Sequence, residues 1–195
     1  MACSTADPTY VAMFQQAAAS INFDWPTTFC QICQESGWNP DADSGQAQGI
    51  AQFTPGTWSG YGAGGDVWDP QDSANAWAAY MAYLSGLYGG NIQQTLAAYN
   101  AGPGNVNKAI AKCGAGWLNC LPTSAANQAQ TINYVNSITA CAGSGAAPGS
   151  SVISQALGSL GIDTSSLSLD PSTWSSTTWI IVAAAAAAVI YFTLS

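Results

Sequence analysis

Glu35 is the only glutamate among 195 residues; the remaining nine acids are aspartates. It sits in "QESGWNPDADSG", residues 34–45. The chain holds no histidine and only two cations, Lys108 and Lys112. Ser-His-Asp and Cys-His catalysis and histidine-ligated zinc are therefore excluded. Acid/base chemistry falls to carboxylates, tyrosines, cysteines or the two lysines. Around Glu35 stand Phe29, Ile32, Cys30 and Cys33, with Trp38 three residues on. A carboxyl in apolar company is desolvated, which raises its pKa. A carboxylic acid still neutral near pH 7 is what protonation of a glycosidic oxygen requires. Trp58, Tyr61, Trp68 and Tyr99 offer rings on which sugars could stack. The competing reading is a solvated glutamate at a helix end, with the aromatics in the core.

The elements that must position Glu35 are helical. Asp7-Pro8 combines an N-cap with a proline in the first turn and opens a helix to about Ser20. A second helix is expected from Pro26 to Ser36, carrying Glu35 at its end. Thr54-Pro55 and Asp69-Pro70 repeat the cap signature, the latter opening a long helix that stops at Gly89-Gly90. Further helices are expected at 92–99, 104–112 and 124–140. Residues 38–51 are polar and Gly-rich and read as a loop or a small β-ribbon. The expected fold class is mostly α.

Composition narrows the setting. Only 6% of residues are charged and the net charge is −8, which argues against nucleic acid as a partner. Six cysteines, an even number in a lysine-poor chain, point to disulfides. Cys113 and Cys120 are expected to pair across "GAGWLN"; Cys3 and Cys141 are each expected to pair with Cys30 or Cys33. A redox role for Cys30-Gln-Ile-Cys33 is disfavoured because no βαβ pattern surrounds it. No metal site and no cofactor is expected.

Four stretches occur in order: "ESGWNPDADSG" at 35–45, "GIAQFTPGTW" at 49–58, "AAYNAGPGNV" at 97–106 and "QTINYVNSI" at 130–138. Together they resemble the soluble lytic transglycosylase family, relatives of goose-type lysozyme, over just over half the chain. The departures are Thr54 where the family has an apolar residue, a segment between Ser44 and Gly49 one residue short, and Gln130 where an acid is common. The resemblance implies a lysozyme-like helical fold that cleaves the β-1,4 bond between N-acetylmuramic acid and N-acetylglucosamine in peptidoglycan. The sugar's own C6 hydroxyl would attack, leaving a 1,6-anhydro end, and one glutamate would serve twice. Glu35 then becomes the catalytic acid and base. Ser44, Gln52, Tyr99 and Asn100 become substrate-binding residues, with Tyr99 the expected contact of Glu35. The alternatives are a water-using lysozyme, with Asp41, Asp43 or Asp66 positioning the water, and a non-enzymatic wall-binding protein of the same fold.

Three regions are expected: a catalytic domain over 1–142, a linker with a possible short helix over 143–173, and an apolar helix over 174–195. The last contains a charge-free run, Trp179 to Leu194. It reads as a membrane anchor, or as a helix buried in a surrounding virion assembly. The N-terminus, "MACSTADPTY", does not read as a signal peptide. The expected location is a bacteriophage particle that opens the wall during genome entry; the alternative is a membrane-anchored enzyme of the bacterial periplasm.

Overall fold

A computed structural model describes residues 6–147, which belong to one compact unit. Seven α-helices follow one another: α1 (Pro8–Ser20), α2 (Trp25–Ser36), α3 (Pro55–Tyr61), α4 (Pro70–Leu87), α5 (Ile92–Ala101), α6 (Pro103–Cys113) and α7 (Ala125–Gly143). A 3₁₀ segment, Gly114–Cys120, joins α6 to α7.

Local chemistry explains where the helices begin. Asp7, Asp24 and Asp69 cap α1, α2 and α4, each with proline in the first two positions. Their carboxylates accept backbone N–H groups that have no partner inside the helix: Thr9 at 2.7 Å, Thr27 at 2.8 Å, Gln71 at 2.8 Å. Thr54, Asn91 and Ser124 cap α3, α5 and α7 in the same way. The expected helix starts agree with these to within a residue.

One core holds the helices together. Phe14 of α1, Phe29 and Ile32 of α2, Trp77, Met81 and Leu84 of α4, Leu96 of α5, Val106 of α6 and Val135 and Ile138 of α7 are all essentially inaccessible to water. Helix α1 packs on α4, α2 on α7, and α5 on both α6 and α7. Aromatic edges fill the interior: Phe14 meets Trp38 at 5.7 Å and Trp77 at 5.9 Å between ring centres.

Of the two forms expected for the segment after Glu35, it takes the loop; its backbone makes only two isolated bridges, Asp43 with Gln48 and Gln48 with Phe53. Pairing is cut short because Gly45 and Gly49 both turn left-handed, at φ 76° and 75°. One feature differs from expectation, the 3₁₀ turn, which closes between Cys113 and Cys120, bonded to each other as expected. Among the described residues no helix is long and apolar enough to cross a membrane. The apolar tail expected at 174–195 lies outside the described residues.

Candidate active site

All of the described aspartates except Asp41 hold a nearby backbone N–H. Beyond the three caps, Asp43 accepts the N–H of Gly45, Asp66 that of Trp68 and Asp72 that of Asp66. A short carboxylate reaches nearby backbone; a glutamate, one methylene longer, reaches across to another element. Glu35 does so. It stands one residue before the end of α2, where Gly37 turns left-handed at φ 64° and releases the chain. Its side chain points to α7, and the Tyr134 hydroxyl donates to Glu35 Oε1 at 2.5 Å.

Burial pushes the Glu35 carboxyl from its ordinary 4.5 up to about 8, and the Tyr134 hydrogen bond opposes this only in part. Glu35 raises the pKa of Tyr134 and Tyr99 in turn, after burial itself. The acid is thus neutral near pH 7.

A cleft of ≈ 730 Å³ opens over Glu35. Ser44, Gln52, Tyr99 and Asn100 all line it, together with Tyr134 and the α7 residues Gln130, Asn133 and Ser137. Among the described residues Glu35 is its one carboxylate, and neither lysine lines it. Asp41, Asp43 and Asp66, the aspartates that a water-using hydrolase would employ, are absent from the lining. Hydroxyls, amides and the methyl groups of Ala47, Ala126 and Ala129 make up the rest of the described wall, a surface matched to a neutral polyhydroxylated chain rather than to a phosphate or a cation.

The loop that carries Ser44 and Gln52 is built to hold them. Gln52 sits at φ 51°, an uncommon backbone state for a residue with a side chain. Its amide nitrogen donates to the carbonyls of Ala42 at 2.9 Å and Gly49 at 3.0 Å, so Oε1 is its remaining polar atom. Gly49 lies against Val67, whose carbonyl oxygen a Cβ there would strike. The Ser44 hydroxyl donates to Ala47 O and accepts from Ala47 N, which closes its own turn at the cleft rim.

Tyr99 was expected against Glu35, but its single hydroxyl hydrogen goes to Ala51 O at 2.7 Å. It braces the Gln52 loop from α5. Tyr134 takes the place at Glu35. The signal for it was present in "QTINYVNSI", where Thr131 and Tyr134 fall three apart on one helix face. Thr131 donates to Asn100 Oδ1 at 2.8 Å, so one face of α7 holds both the acid and the end of α5. Of the four aromatics considered as sugar platforms, Tyr99 alone lines the cleft; Trp58, Tyr61 and Trp68 do not.

The cysteines reinforce the same pair of helices. Cys30 of α2 is bonded to Cys141 of α7. Cys33 is also disulfide-bonded, and no described cysteine is free. Cys3 lies outside the described residues.

Known proteins resemble this chain in sequence and in fold. A soluble lytic murein transglycosylase of Escherichia coli is 39% identical over 83 residues, which are 37% of this chain and 13% of that protein. Membrane-bound lytic murein transglycosylase F of Serratia proteamaculans is 32% identical over 106 residues, 51% of this chain and 21% of that protein. The crystal structure of the 70 kDa soluble lytic transglycosylase of Escherichia coli superposes with a TM-score of 0.58 and 25% identity, covering 67% of this chain and 23% of that one. An inactive mutant of lytic transglycosylase Slt from Pseudomonas aeruginosa gives 0.57 and 26%, with the same coverage. The chain therefore spans less than a quarter of the length of these relatives. The family described as the transglycosylase SLT domain matches residues 12–116, more than half of the sequence, and the chain belongs to that family.

Proposed function

We propose that this domain is a peptidoglycan lytic transglycosylase in which Glu35 acts first as acid and then as base. The observation that carries the reading is a half-buried carboxyl, held neutral near pH 7, in a cleft where no second carboxylate lies among the described residues. Two-carboxylate glycosidases need that second group as nucleophile or base. Here the Glu35 proton passes to the glycosidic oxygen as the bond from that oxygen to C1 of the N-acetylmuramic acid breaks. The neighbouring 2-acetamido group assists at C1. The C6 hydroxyl of the same sugar then bonds to C1 and gives its proton to Glu35, which restores the acid. No water enters and no atom is lost.

Substrate contacts follow from the wall. Gln52 Oε1 offers an acceptor to a sugar amide or hydroxyl. Asn100, Ser44 and Tyr99 border the same space. The relatives' names, soluble lytic murein transglycosylase and membrane-bound lytic murein transglycosylase F, agree with this substrate. We further infer that the charge-free run at 179–194 holds the enzyme to a membrane or within a virus particle, where local wall penetration during genome entry is its task.

Digestion of purified peptidoglycan followed by mass spectrometry of the products tests the chemistry. Anhydro ends, lighter by one water than hydrolytic ends, are expected. Glu35→Gln should lower solubilisation by at least 10²–10⁴, the usual weight of one acid/base role. Hydrated reducing ends would identify a lysozyme, and near-normal activity of Glu35→Gln would remove Glu35 from the chemistry.

A further inference from the structure

Two side chains of the whole sequence are positively charged at neutral pH, Lys108 and Lys112; arginine and histidine are absent. Both lysines are exposed on α6, Lys112 in its last turn, where a cation suits the carbonyl end of a helix. Helix α6 packs on α5 and on the 3₁₀ segment, and neither lysine lines the cleft over Glu35. The wall of that cleft is neutral instead. Helix α7 brings Gln130, Asn133 and Ser137 to it, and Gln34 and Gln46 border it from α2 and from the loop that follows. Gln130 precedes Tyr134, the partner of Glu35, by one turn on the same face of α7. Side-chain amides and hydroxyls of this kind both donate and accept.

The proposed substrate carries one group at this place whose charge differs between its natural forms. Each N-acetylmuramic acid bears a lactyl group on C3, on the same ring whose C1 reacts at Glu35. Where a stem peptide is attached, the lactyl carboxyl is an amide, neutral, with a donor and an acceptor. Where hydrolysis of that amide has removed the stem, it is a carboxylate, which only accepts. A carboxylate entering this wall gives up part of its hydration and meets no cation in return. It also shares the cleft with Glu35, which becomes a carboxylate itself halfway through the reaction. Two like charges side by side oppose that state.

We propose that this enzyme selects glycan strands whose lactyl groups are amide-capped, with Gln130 as a specificity-determining residue of the neutral α7 wall, and that it therefore works ahead of any amidase that strips the stem peptides. The inference rests on the reading of the cleft as a transglycosylase site and names the form of the substrate that this site takes. The long-range field points the same way: a chain of net charge −8 repels added carboxylates, although salt screens that part. The local part acts inside the cleft, where the screening is weaker.

Two substrates separate charge from peptide contacts. Strands stripped by an amidase carry free lactyl carboxylates, and coupling these to methylamine restores a neutral amide without a peptide. The full chain should cleave the methylamide strands with a kcat/KM at least about tenfold above that for the free acids, read by chromatography and mass spectrometry of the products. Gln130 is exposed, so its charge can be changed without disturbing the core. Gln130→Lys should narrow the ratio several-fold by favouring the free acid, and Gln130→Glu should widen it. Asn133→Lys, from the next turn of the same wall, should also narrow it. Equal kcat/KM on the two strands would overturn the proposal, even if peptide-bearing strands are cut faster than both, because the preference would then lie in the peptide. A preference that ignores the charge at both 130 and 133 would overturn the part given to the α7 wall. Wild-type protein that cuts none of the strands, or leaves hydrated ends on them, would instead overturn the reading of the site on which the proposal rests.

Discussion

Glu35→Gln should make the protein more stable, and more so as pH rises. In the native state the carboxyl holds its proton up to about pH 8; in the unfolded chain it releases it near 4.5. Between those values the native state binds more protons than the unfolded state, so wild-type stability falls as pH increases through the window. Each unit costs about 1.4 kcal/mol. From 4.5 to neutral pH the loss is about 3 kcal/mol, and above pH 8 it levels off near ~5 kcal/mol. Both are upper figures, because part of the Glu35 side chain faces the open cleft and water there softens the penalty of ionisation. Glutamine keeps the volume and the acceptor oxygen for Tyr134 but cannot ionise. The difference in unfolding free energy, variant minus wild type, should start near zero at pH 4 and climb to about 3 kcal/mol at pH 7. Urea denaturation of both proteins at several pH values, followed by tryptophan fluorescence, reads this directly. The nine aspartates are common to both proteins and cancel. A difference that stays flat from pH 4 to pH 8 would refute the claim that burial holds the acid neutral.

Two further outcomes concern the scaffold. Replacing Cys30 and Cys141 by serine should cost up to about 5 kcal/mol, whereas the same change at Cys113 and Cys120 should cost about half that, because the loops closed differ, with separations of 111 and 7 residues; thermal melts of the two double variants give the order. Gly49→Ala should destabilise by several kcal/mol, because φ 75° disfavours any side chain and the new Cβ meets the Val67 carbonyl; its melting temperature and its peptidoglycan activity should fall together, since Gln52 depends on the Gly49 carbonyl.

What could be read in advance was what is encoded locally. Asp-Pro and Thr-Pro pairs announce helix starts because capping involves only neighbours in sequence. Glu35 stood out because it is the only glutamate and sits among apolar residues near Trp38. The contact between Tyr134 and Glu35 joins residues 99 apart, and its partner choice depends on how α5 and α7 are rotated over α2. Two tyrosines compete for that place, and the Ala51 carbonyl decides between them by holding Tyr99. Gln31, wholly buried against Trp77 and Met81, gave no signal, since a glutamine reads as a surface position until its enclosure is seen. The 3₁₀ turn escaped for a related reason: a stretch with Gly114 and Gly116 has little helical preference, and the bonded cysteines at its ends impose the curl.

Helices α2 and α7 run antiparallel and are fastened twice, by Cys30–Cys141 and by Glu35–Tyr134. Five residues on one and seven on the other separate the fastenings, roughly two turns of helix. Such a pair can neither slide by a turn nor hinge apart without breaking a covalent bond or the polar contact of the acid itself. The floor of the cleft is in that sense a finished part, in place before any ligand arrives. A ligand of the cleft meets its docking geometry ready-made, and little chain ordering is left to oppose binding. The same fastening ties the cleft to the whole fold. With α2 and α7 held at two points, heat should extinguish tertiary structure and the proposed peptidoglycan activity in one transition.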